Sequence, residues 1–182
     1  MTGETIREAV RVLGKGGLVI YPTETCYGLG ADATNPAAIK KVFRVKKRPK
    51  DKPLSVIVDS LEMIKSYAVI PRGVERLVDE YMPAPLTLVV KNKSFPSTLC
   101  GGGDKVGFRI PDHVVALELV RQFDKPIIAT SANLSGGPNP YTVPDLPVDF
   151  VINYGELPRV LPSTVYDTIL KKTIREGPVK IT

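Results

Sequence analysis

The sequence YPTETCYGLGADA, residues 21–33, joins a short apolar segment to the start of a helix. Before it, the run Leu18-Val19-Ile20 predicts a buried strand. After it, Asn35-Pro36 provides an N-cap residue followed by proline at the first helical position. A strand therefore delivers hydroxyls, a carboxylate and two glycines to one edge of a sheet, where open α/β sheets bind ligands. An ordinary strand-to-helix connection is the alternative interpretation at this point.

Apolar spacing along the rest of the chain predicts helices that alternate with strands. Intervals of three and four predict helices over residues 4–15, 35–48, 60–66, 72–82 and 113–123. Apolar runs predict strands over 18–20, 53–58, 86–90, 106–110, 126–129 and 150–152, with a final hairpin formed by 163–169 and 172–181. Several connections are too short for a right-handed helical crossover. We therefore predict an α/β fold in one domain, residues 1–182, with a twisted, mixed parallel and antiparallel open sheet and flanking helices.

Two further loops bear on the predicted site. The sequence TSANLSGG, residues 130–137, is a second polar loop that follows a buried strand. The run Gly101-Gly102-Gly103 lacks the Gly-Lys-Ser/Thr ending of a phosphate-binding loop, and we interpret it as a mobile hinge. We predict that the loops at 23–33, 46–52 and 131–137 converge on one deep basic concavity.

Positive charge is concentrated in one segment. The chain has a formal net charge of +6 at pH 7, and residues 40–52 hold eight of its 25 basic side chains against the single acid Asp51. That leaves 17 basic and 18 acidic side chains elsewhere, which nearly cancel. A local cluster of this kind indicates a site for phosphates or another polyanion, although a solvated helix face is the commoner origin of a charge run.

Composition excludes several classes of protein. A content of 43% hydrophobic and 24% charged residues is typical of a globular protein, and no apolar run reaches the length of a membrane span. The N-terminal residues lack the apolar core of a signal peptide, so we expect a cytoplasmic protein without membrane contact. Cys26, Cys100 and the single His113 do not have metal-ligand spacing, so we expect no protein-bound metal. We interpret His113 as a helix-capping group.

Six blocks of sequence, taken in order, identify a family. They are YPTETCYGLGADA at 21–33, KKRPKDKPLSV at 46–56, PAPLTLVV at 83–90, VGFRIPDH at 106–113, ATSANLSGG at 129–137 and STVYD at 163–167. Through these blocks the chain resembles the YrdC-type threonylcarbamoyl-AMP synthases, in their short single-domain form, over nearly its whole length. Lys46-x-Arg48 and Ser131-x-Asn133 match the paired lysine-x-arginine and serine-x-asparagine motifs of that family.

The resemblance implies a nucleotidyltransferase that joins L-threonine, bicarbonate and ATP into L-threonylcarbamoyl-AMP and releases pyrophosphate. The product would serve threonylcarbamoyladenosine modification of tRNA through a downstream threonylcarbamoyl-transferase complex. Mg²⁺ would enter with ATP, without a dedicated protein metal site. Two anions must meet in this reaction, so the protein has to spread positive charge over the phosphates, and the arginine fork can do this bidentately.

The residues that match the family's contacts divide between the two substrates, with Lys46 and Arg48 also expected to act in catalysis. ATP would contact Lys46, Arg48, Lys52, Lys105, Asn133, Tyr141 and Arg175. Threonine would contact Thr25, Arg109, Ser131 and Ser163.

Three positions depart from the family pattern. Ile57 stands where many members have a histidine, which removes one expected polar contact to threonine, and Tyr141 stands where a threonine is common. Cys26 stands where valine is usual, which argues against a catalytic thiol. Glu24 is either a base for the ammonium of threonine or an anchor for the backbone of its own loop, and we assign no general base.

Two other functions are alternatives. An RNA-binding module could use the same basic concavity for tRNA or double-stranded RNA, although the chain has no RNA-binding motif and few aromatic residues beside the basic ones. A carbamoyl-transfer module related to hydrogenase maturation would share the fold type.

Overall fold

The computed structural model describes residues 3–181, and within them five helices form close to the predicted positions. They are α1 (Gly3–Gly14), α2 (Pro36–Val45), α3 (Leu61–Lys65), α4 (Arg72–Tyr81) and α5 (Val114–Phe123). The Asn35 side chain caps α2 by accepting from the backbone N–H groups of Ala37 and Ala38. His113 caps α5 by accepting from the Val115 N–H, which confirms its predicted capping role.

The described strands are β1 (Val19–Tyr21), β2 (Gly28–Gly30), β3 (Ser55–Ile57), β4 (Ala68–Val69), β5 (Leu86–Asn92), β6 (Lys105–Arg109), β7 (Ile127–Ile128), β8 (Thr130–Ser131), β9 (Phe150–Val151), β10 (Thr164–Asp167) and β11 (Lys172–Arg175). One sheet has the order β8-β2-β1-β9. The other has the order β11-β10-β5-β6-β3-β7, with β4 paired to β5. Each sheet contains parallel and antiparallel pairs, and β10 and β11 form the predicted antiparallel hairpin. The predicted α/β class with mixed pairing is confirmed, whereas the extent of the domain, residues 1–182, reaches beyond the described residues and stays a prediction.

The sheets differ from the prediction in how the strands are divided and in three short strands, β2, β4 and β8, that were not predicted. The strands divide between two sheets instead of one, and the chain passes from one sheet to the other after β2, after β7 and after β9. The segment 28–30, predicted as loop, is strand β2, which pairs antiparallel with β1. Glycine has a low propensity for strands, so the sequence pattern did not predict β2. Its glycines are required because a Cβ on Gly30 would lie 2.7 Å from Cε1 of Tyr21 and 2.9 Å from Cγ2 of Ile127.

Two clusters of buried apolar side chains support this framework. The larger one packs α2, through Ile39 and Val42, against strands of both sheets. The smaller one joins α1 and α5 to β1 and includes Ile57, which is fully buried. Within residues 3–181, no helix has both the length and the hydropathy that a membrane crossing requires.

The glycine-rich loop between β5 and β6 packs against the basic segment. Gly101 has φ +63°, and a Cβ there would lie 2.5 Å from the carbonyl oxygen of Asp51. The backbone of residues 99–101 therefore lies directly against residues 51–54, where the Leu54 N–H donates to the Leu99 carbonyl at 2.9 Å. The predicted mobility of this loop stays a prediction.

Candidate functional site

A cavity of about 220 Å³ is lined by residues from both sheets. Six of the eleven predicted site residues line it, namely Thr25, Arg48, Arg109, Ser131, Ser163 and Arg175. The structure therefore brings together the loop after β1, the loop after α2 and the loop after β7, as predicted for the convergence of these three segments. The lining also includes Tyr21, Thr23, Cys26, Thr87 and Asn139, which the sequence analysis did not assign to either substrate.

Hydroxyl groups hold the loop between β1 and β2 in a fixed shape. The Oγ1 atoms of Thr23 and Thr25 lie 3.0 Å apart, and Thr23 Oγ1 also donates to the carbonyl of Cys26 at 2.7 Å. The backbone N–H groups of Thr25 and Cys26 donate to Thr23 Oγ1 in return. Both threonines are buried, so this loop presents a rigid polar wall to the cavity.

Arg109 and Glu24 form a buried ion pair beside the cavity. Nη1 of Arg109 lies 2.5 Å from Oε1 of Glu24, and the two side chains are only 8% and 13% exposed. The second carboxylate oxygen, Oε2, is buried and has no hydrogen-bond partner within residues 3–181. Neither interpretation of Glu24 from the sequence predicted its pairing with Arg109, because the two residues are 85 positions apart in the chain.

The hydroxyl of Ser163, a predicted threonine contact, is bonded to Arg175, a predicted ATP contact. Arg175 donates from Nη2 to Ser163 Oγ and from Nε to the Ser163 carbonyl, each at 2.9 Å. Ser163 Oγ also lies 3.0 Å from Oγ1 of Thr87. A predicted ATP contact and a predicted threonine contact are thus directly bonded. Thr87 lies inside the family block at 83–90, but a sequence block does not show which side chains face a cavity.

Lys46 is buried behind the cavity, with 1% of its surface exposed, and does not line it. Its ammonium donates to the carbonyl of Ser131, to the carbonyl of Asn133 at 2.8 Å and to Oδ1 of Asn133 at 3.0 Å. An ammonium has three N–H donors, so these acceptors use all of them. Burial, with a smaller contribution from Arg48, lowers the pKa of Lys46 to about 8. Lys46 in this structure positions the 131–133 loop and has no donor left for a phosphate.

The two motifs that matched the family meet through this lysine. Asn133 Oδ1 accepts from Lys46 and from Ser131 Oγ, the latter at 2.8 Å. Its Nδ2 donates to the carbonyls of Gly137 and Pro138 at 2.7 and 2.8 Å. Asn133 therefore fixes the loop from inside and is not among the residues that line the cavity.

Arg48 faces the cavity from a loop that the backbone holds in place. Its Nε donates to the carbonyl of Lys52 at 3.2 Å and its Nη2 to the carbonyl of Pro53 at 2.8 Å. Lys52 contributes this carbonyl, while its own side chain does not line the cavity. Burial lowers the pKa of Arg48, but an arginine keeps its charge near neutral pH.

Two other predicted ATP contacts lie outside the cavity. Lys105 Nζ is paired with Oδ2 of Asp167 at 2.9 Å, at the far end of β6 from Arg109. Tyr141 donates its hydroxyl to the carbonyl of Val160 at 3.1 Å, and its ring faces the guanidinium of Arg159 at 5.6 Å. Both side chains are engaged in contacts with their own surroundings, which the sequence blocks could not show.

The thiol of Cys26 and the imidazole of His113 are poorly suited to catalysis. Burial raises the pKa of Cys26, so the thiol that lines the cavity stays protonated near neutral pH. Burial lowers the pKa of His113, whose Nδ1 is already occupied in capping α5. Ile57 packs in the smaller apolar cluster and does not line the cavity. Within residues 3–181, no group of three or more His, Cys, Asp or Glu side chains is arranged to hold a metal ion.

Comparison with known proteins places the chain in a family. The family model for Sua5, YciO and YrdC proteins, described as telomere recombination, matches residues 11–177. A protein of Pyrococcus abyssi named threonylcarbamoyl-AMP synthase is 41% identical over 170 residues, which are 89% of this chain and 50% of that protein. The protein of the same name from Escherichia coli O6:H1 is 30% identical over 186 residues, 97% of this chain and 98% of that protein.

Comparison with solved structures indicates the same family. The crystal structure of Pyrococcus abyssi Sua5 complexed with L-threonine superposes with a TM-score of 0.86 at 39% identity, over 90% of this chain and 51% of that one. This chain thus spans about half the length of the Pyrococcus relative and nearly all of the Escherichia one. With its two mixed sheets and the family model matched over residues 11–177, the chain belongs to the Sua5/YciO/YrdC family.

Proposed function

We propose that this protein synthesises L-threonylcarbamoyl-AMP from L-threonine, bicarbonate and ATP, with release of pyrophosphate. The observation that carries the proposal is the charge of the cavity. Three guanidinium groups, those of Arg48, Arg109 and Arg175, line it. Glu24 compensates the charge of Arg109, whereas within residues 3–181 neither Arg48 nor Arg175 forms an ion pair with a carboxylate. The reaction brings together two anions, a nucleoside triphosphate and an N-carboxylated amino acid, and fixed arginines suit both.

The proposed reaction forms one bond and breaks one bond at phosphorus. A carboxylate oxygen of N-carboxythreonine attacks the α-phosphorus of ATP, and the bond from that phosphorus to the bridging oxygen breaks. Pyrophosphate leaves with the electron pair of that bond. Positioning and charge stabilisation account for most of the catalysis in such transfers, so the protein needs no covalent intermediate.

The predicted site residues would divide the work of this scheme between them. Arg109, at the end of β6, would bind the threonine carboxylate, while Thr25 and Ser163 would contact the polar groups of the amino acid. Arg48 and Arg175 would bind phosphates. Lys46 and Asn133 would act indirectly, because their hydrogen bonds hold Ser131 in place at the cavity.

Mg²⁺ would enter this site on the phosphates of ATP. The donors that line the cavity are hydroxyls and guanidinium groups, which do not form a magnesium cage, whereas phosphate oxygens with retained waters do. The ion would supply charge neutralisation at the phosphates. The product would then pass, in the cytoplasm, to a threonylcarbamoyl-transferase complex that modifies tRNA.

The test compares Arg48→Ala with Arg109→Ala in an assay with threonine, bicarbonate and ATP. Pyrophosphate release and product formation are measured as functions of each substrate. Arg48→Ala should mainly weaken the use of ATP and Arg109→Ala the use of threonine, each by about a hundredfold if the site is desolvated. Arg76→Ala, on the exposed side of α4, is the control and should leave both unchanged.

Four outcomes would contradict the proposal or its site. Wild-type protein that forms no threonylcarbamoyl-AMP would refute the synthase, and salt-dependent RNA binding without turnover would favour the RNA-binding module. Consumption of carbamoyl phosphate without threonine would favour a carbamoyl-transfer module. Full activity of both arginine variants would leave the reaction standing and refute the assignment of the cavity.

A further inference from the structure

A second cavity, of about 440 Å³, shares Arg48 with the first, and most of its lining residues are cations. Its lining residues are Lys40, Phe43, Arg44, Arg48, Lys50 and Thr98. Four of the six carry positive charge and none carries a carboxylate. The sequence analysis identified the charge of this segment but not its concave arrangement.

The arrangement follows from the pattern of α2 and the loop after it. Phe43 is buried in the larger apolar cluster, which orients the helix and leaves Lys40 and Arg44, one turn apart, on its exposed side. The loop after the helix then adds Arg48 and Lys50. Local packing thus gathers four cations around one depression.

These four cations are not neutralised by the protein. Within residues 3–181, no carboxylate forms an ion pair with any of them. Asp51 favours the charged form of Arg48 through space, but it does not line the cavity. Like charges gathered around one depression repel one another and raise the local potential, which attracts a multivalent anion.

Arg48 connects this cavity to the candidate active site, because it lines both. Two backbone carbonyls hold its guanidinium, so its position does not depend on a bound ligand. Arg48 thus lines the first cavity and, together with Arg44, Lys40 and Lys50, also lines the second. The two cavities are therefore neighbours that share one cation.

We propose that the cavity lined by Lys40, Arg44, Arg48 and Lys50 binds two directly linked phosphate groups and receives the pyrophosphate released in the first cavity. This inference rests on the proposed function for the source of the pyrophosphate. The same chemistry would suit phosphates of an RNA backbone. The concave shape and the shared Arg48 favour the small anion, because an RNA strand needs an extended surface.

The experiment measures inorganic pyrophosphate binding by titration calorimetry, without threonine or ATP, for wild type and Lys40→Ala/Arg44→Ala. Neither residue lines the first cavity. The double variant should bind pyrophosphate about tenfold more weakly. In turnover assays its inhibition by added pyrophosphate should weaken by the same factor, while KM for threonine stays unchanged. Lys50→Ala alone should change both quantities in the same direction.

The matched control is Arg72→Ala/Arg76→Ala, which removes two exposed cations from α4 and should leave pyrophosphate binding unchanged. Equal affinity of wild type and Lys40→Ala/Arg44→Ala for pyrophosphate would overturn the inference. So would a loss of affinity for a double-stranded RNA hairpin with no change for pyrophosphate, which would assign the cavity to RNA. Weakened pyrophosphate binding together with a wild type that makes no product would support the anion site and refute the synthase instead.

Discussion

At the scale of single residues, Lys46 shows how a matched motif can have a structural role. Its three N–H donors are used by one loop, and the methylene stem is buried. The sequence analysis predicts that Lys46 contacts ATP, whereas in the structure its ammonium donates to Ser131 and Asn133. Lys46 holds the backbone that carries Ser131 to the cavity.

Lys46→Met should destabilise the protein by about 3 kcal/mol, because buried carbonyl acceptors lose their donor. Urea unfolding at pH 7 measures the change. Lys93→Met, which removes an exposed lysine with no ion-pair partner in residues 3–181, is the control and should stay within about 0.5 kcal/mol of wild type. If Lys46→Met were as stable as that control, the loop-holding role would be wrong.

The ion pair of Glu24 and Arg109 is the second residue-scale feature. Removing one partner of a buried pair leaves a charge without compensation and typically costs about 3–5 kcal/mol. Glu24→Gln should therefore lower the free energy of unfolding by roughly 3 kcal/mol. Arg109→Met should have a similar effect, and the double variant should lose much less than the sum of the two.

The double-mutant cycle is measured by denaturant unfolding at low and high salt. A pair this buried is screened little, so its coupling energy should persist at high salt. Additive effects of the two substitutions would show that the ion pair does not contribute to stability.

At the scale of elements, strand β2 depends on the absence of a side chain at its glycine positions. Gly30→Ala would place a Cβ 2.7 Å from the ring of Tyr21, which is fully buried and cannot move away. We expect a loss of roughly 2–3 kcal/mol of unfolding free energy, as for other overpacked sites. Differential scanning calorimetry gives the comparison.

Gly73→Ala is the matched control for that substitution. Gly73 lies in α4 and a Cβ there would meet nothing within 4 Å. Alanine favours the helix, so this variant should be stabilised by about 0.5–1 kcal/mol. Equal responses of the two variants would show that the close contact with Tyr21 does not matter.

The hairpin of β10 and β11 depends on Asp167. Its Oδ1 accepts from the backbone N–H groups of Ile169 and Leu170, each at 2.9 Å, and its Oδ2 pairs with Lys105. Burial alone would raise the pKa of this carboxyl, but the Lys105 ammonium and the backbone N–H groups outweigh burial and lower the pKa below its ordinary value of 3.8.

A lowered folded-state pKa means that Asp167 stabilises the protein above the unfolded-state pKa and loses this contribution as pH falls through the folded-state value. Asp167→Asn should cost about 1 kcal/mol at pH 7, since Lys105 is partly exposed and the pair is screened. The difference from wild type should shrink when unfolding is measured below pH 3.8. A difference that did not depend on pH would rule out the charge of Asp167 as its cause.

At the scale of the whole molecule, the candidate site lies where two sheets meet. The sheets are joined by a bridge between Asp32 and Ile127 and by a hydrogen bond from the Ile128 N–H to the Ala31 carbonyl at 2.9 Å. The cavity takes lining residues from each sheet and from the loop that follows α2. Its positive charge therefore comes from segments far apart in the chain, in addition to the charged stretch at 40–52.

The sequence by itself determined the helices, most strands, the mixed α/β class and six side chains of the cavity. These features depend on local patterns, namely apolar periodicity, capping residues and contiguous family blocks, and each such pattern lies within a short stretch of sequence. His113 is an example, since a cap is made with residues two positions away.

Only the tertiary structure decided how the strands divide into two sheets and which side chains pair. Glu24 meets Arg109 across 85 positions, Thr87 meets Ser163 across 76, and Lys46 meets Ser131 across 85. Periodicity specifies which face of an element is buried, but not which distant loop lies against it. The partners of the buried groups of Lys46, Arg109 and Asp167 follow from the requirement that buried polar groups be satisfied by whatever groups the packing brings near.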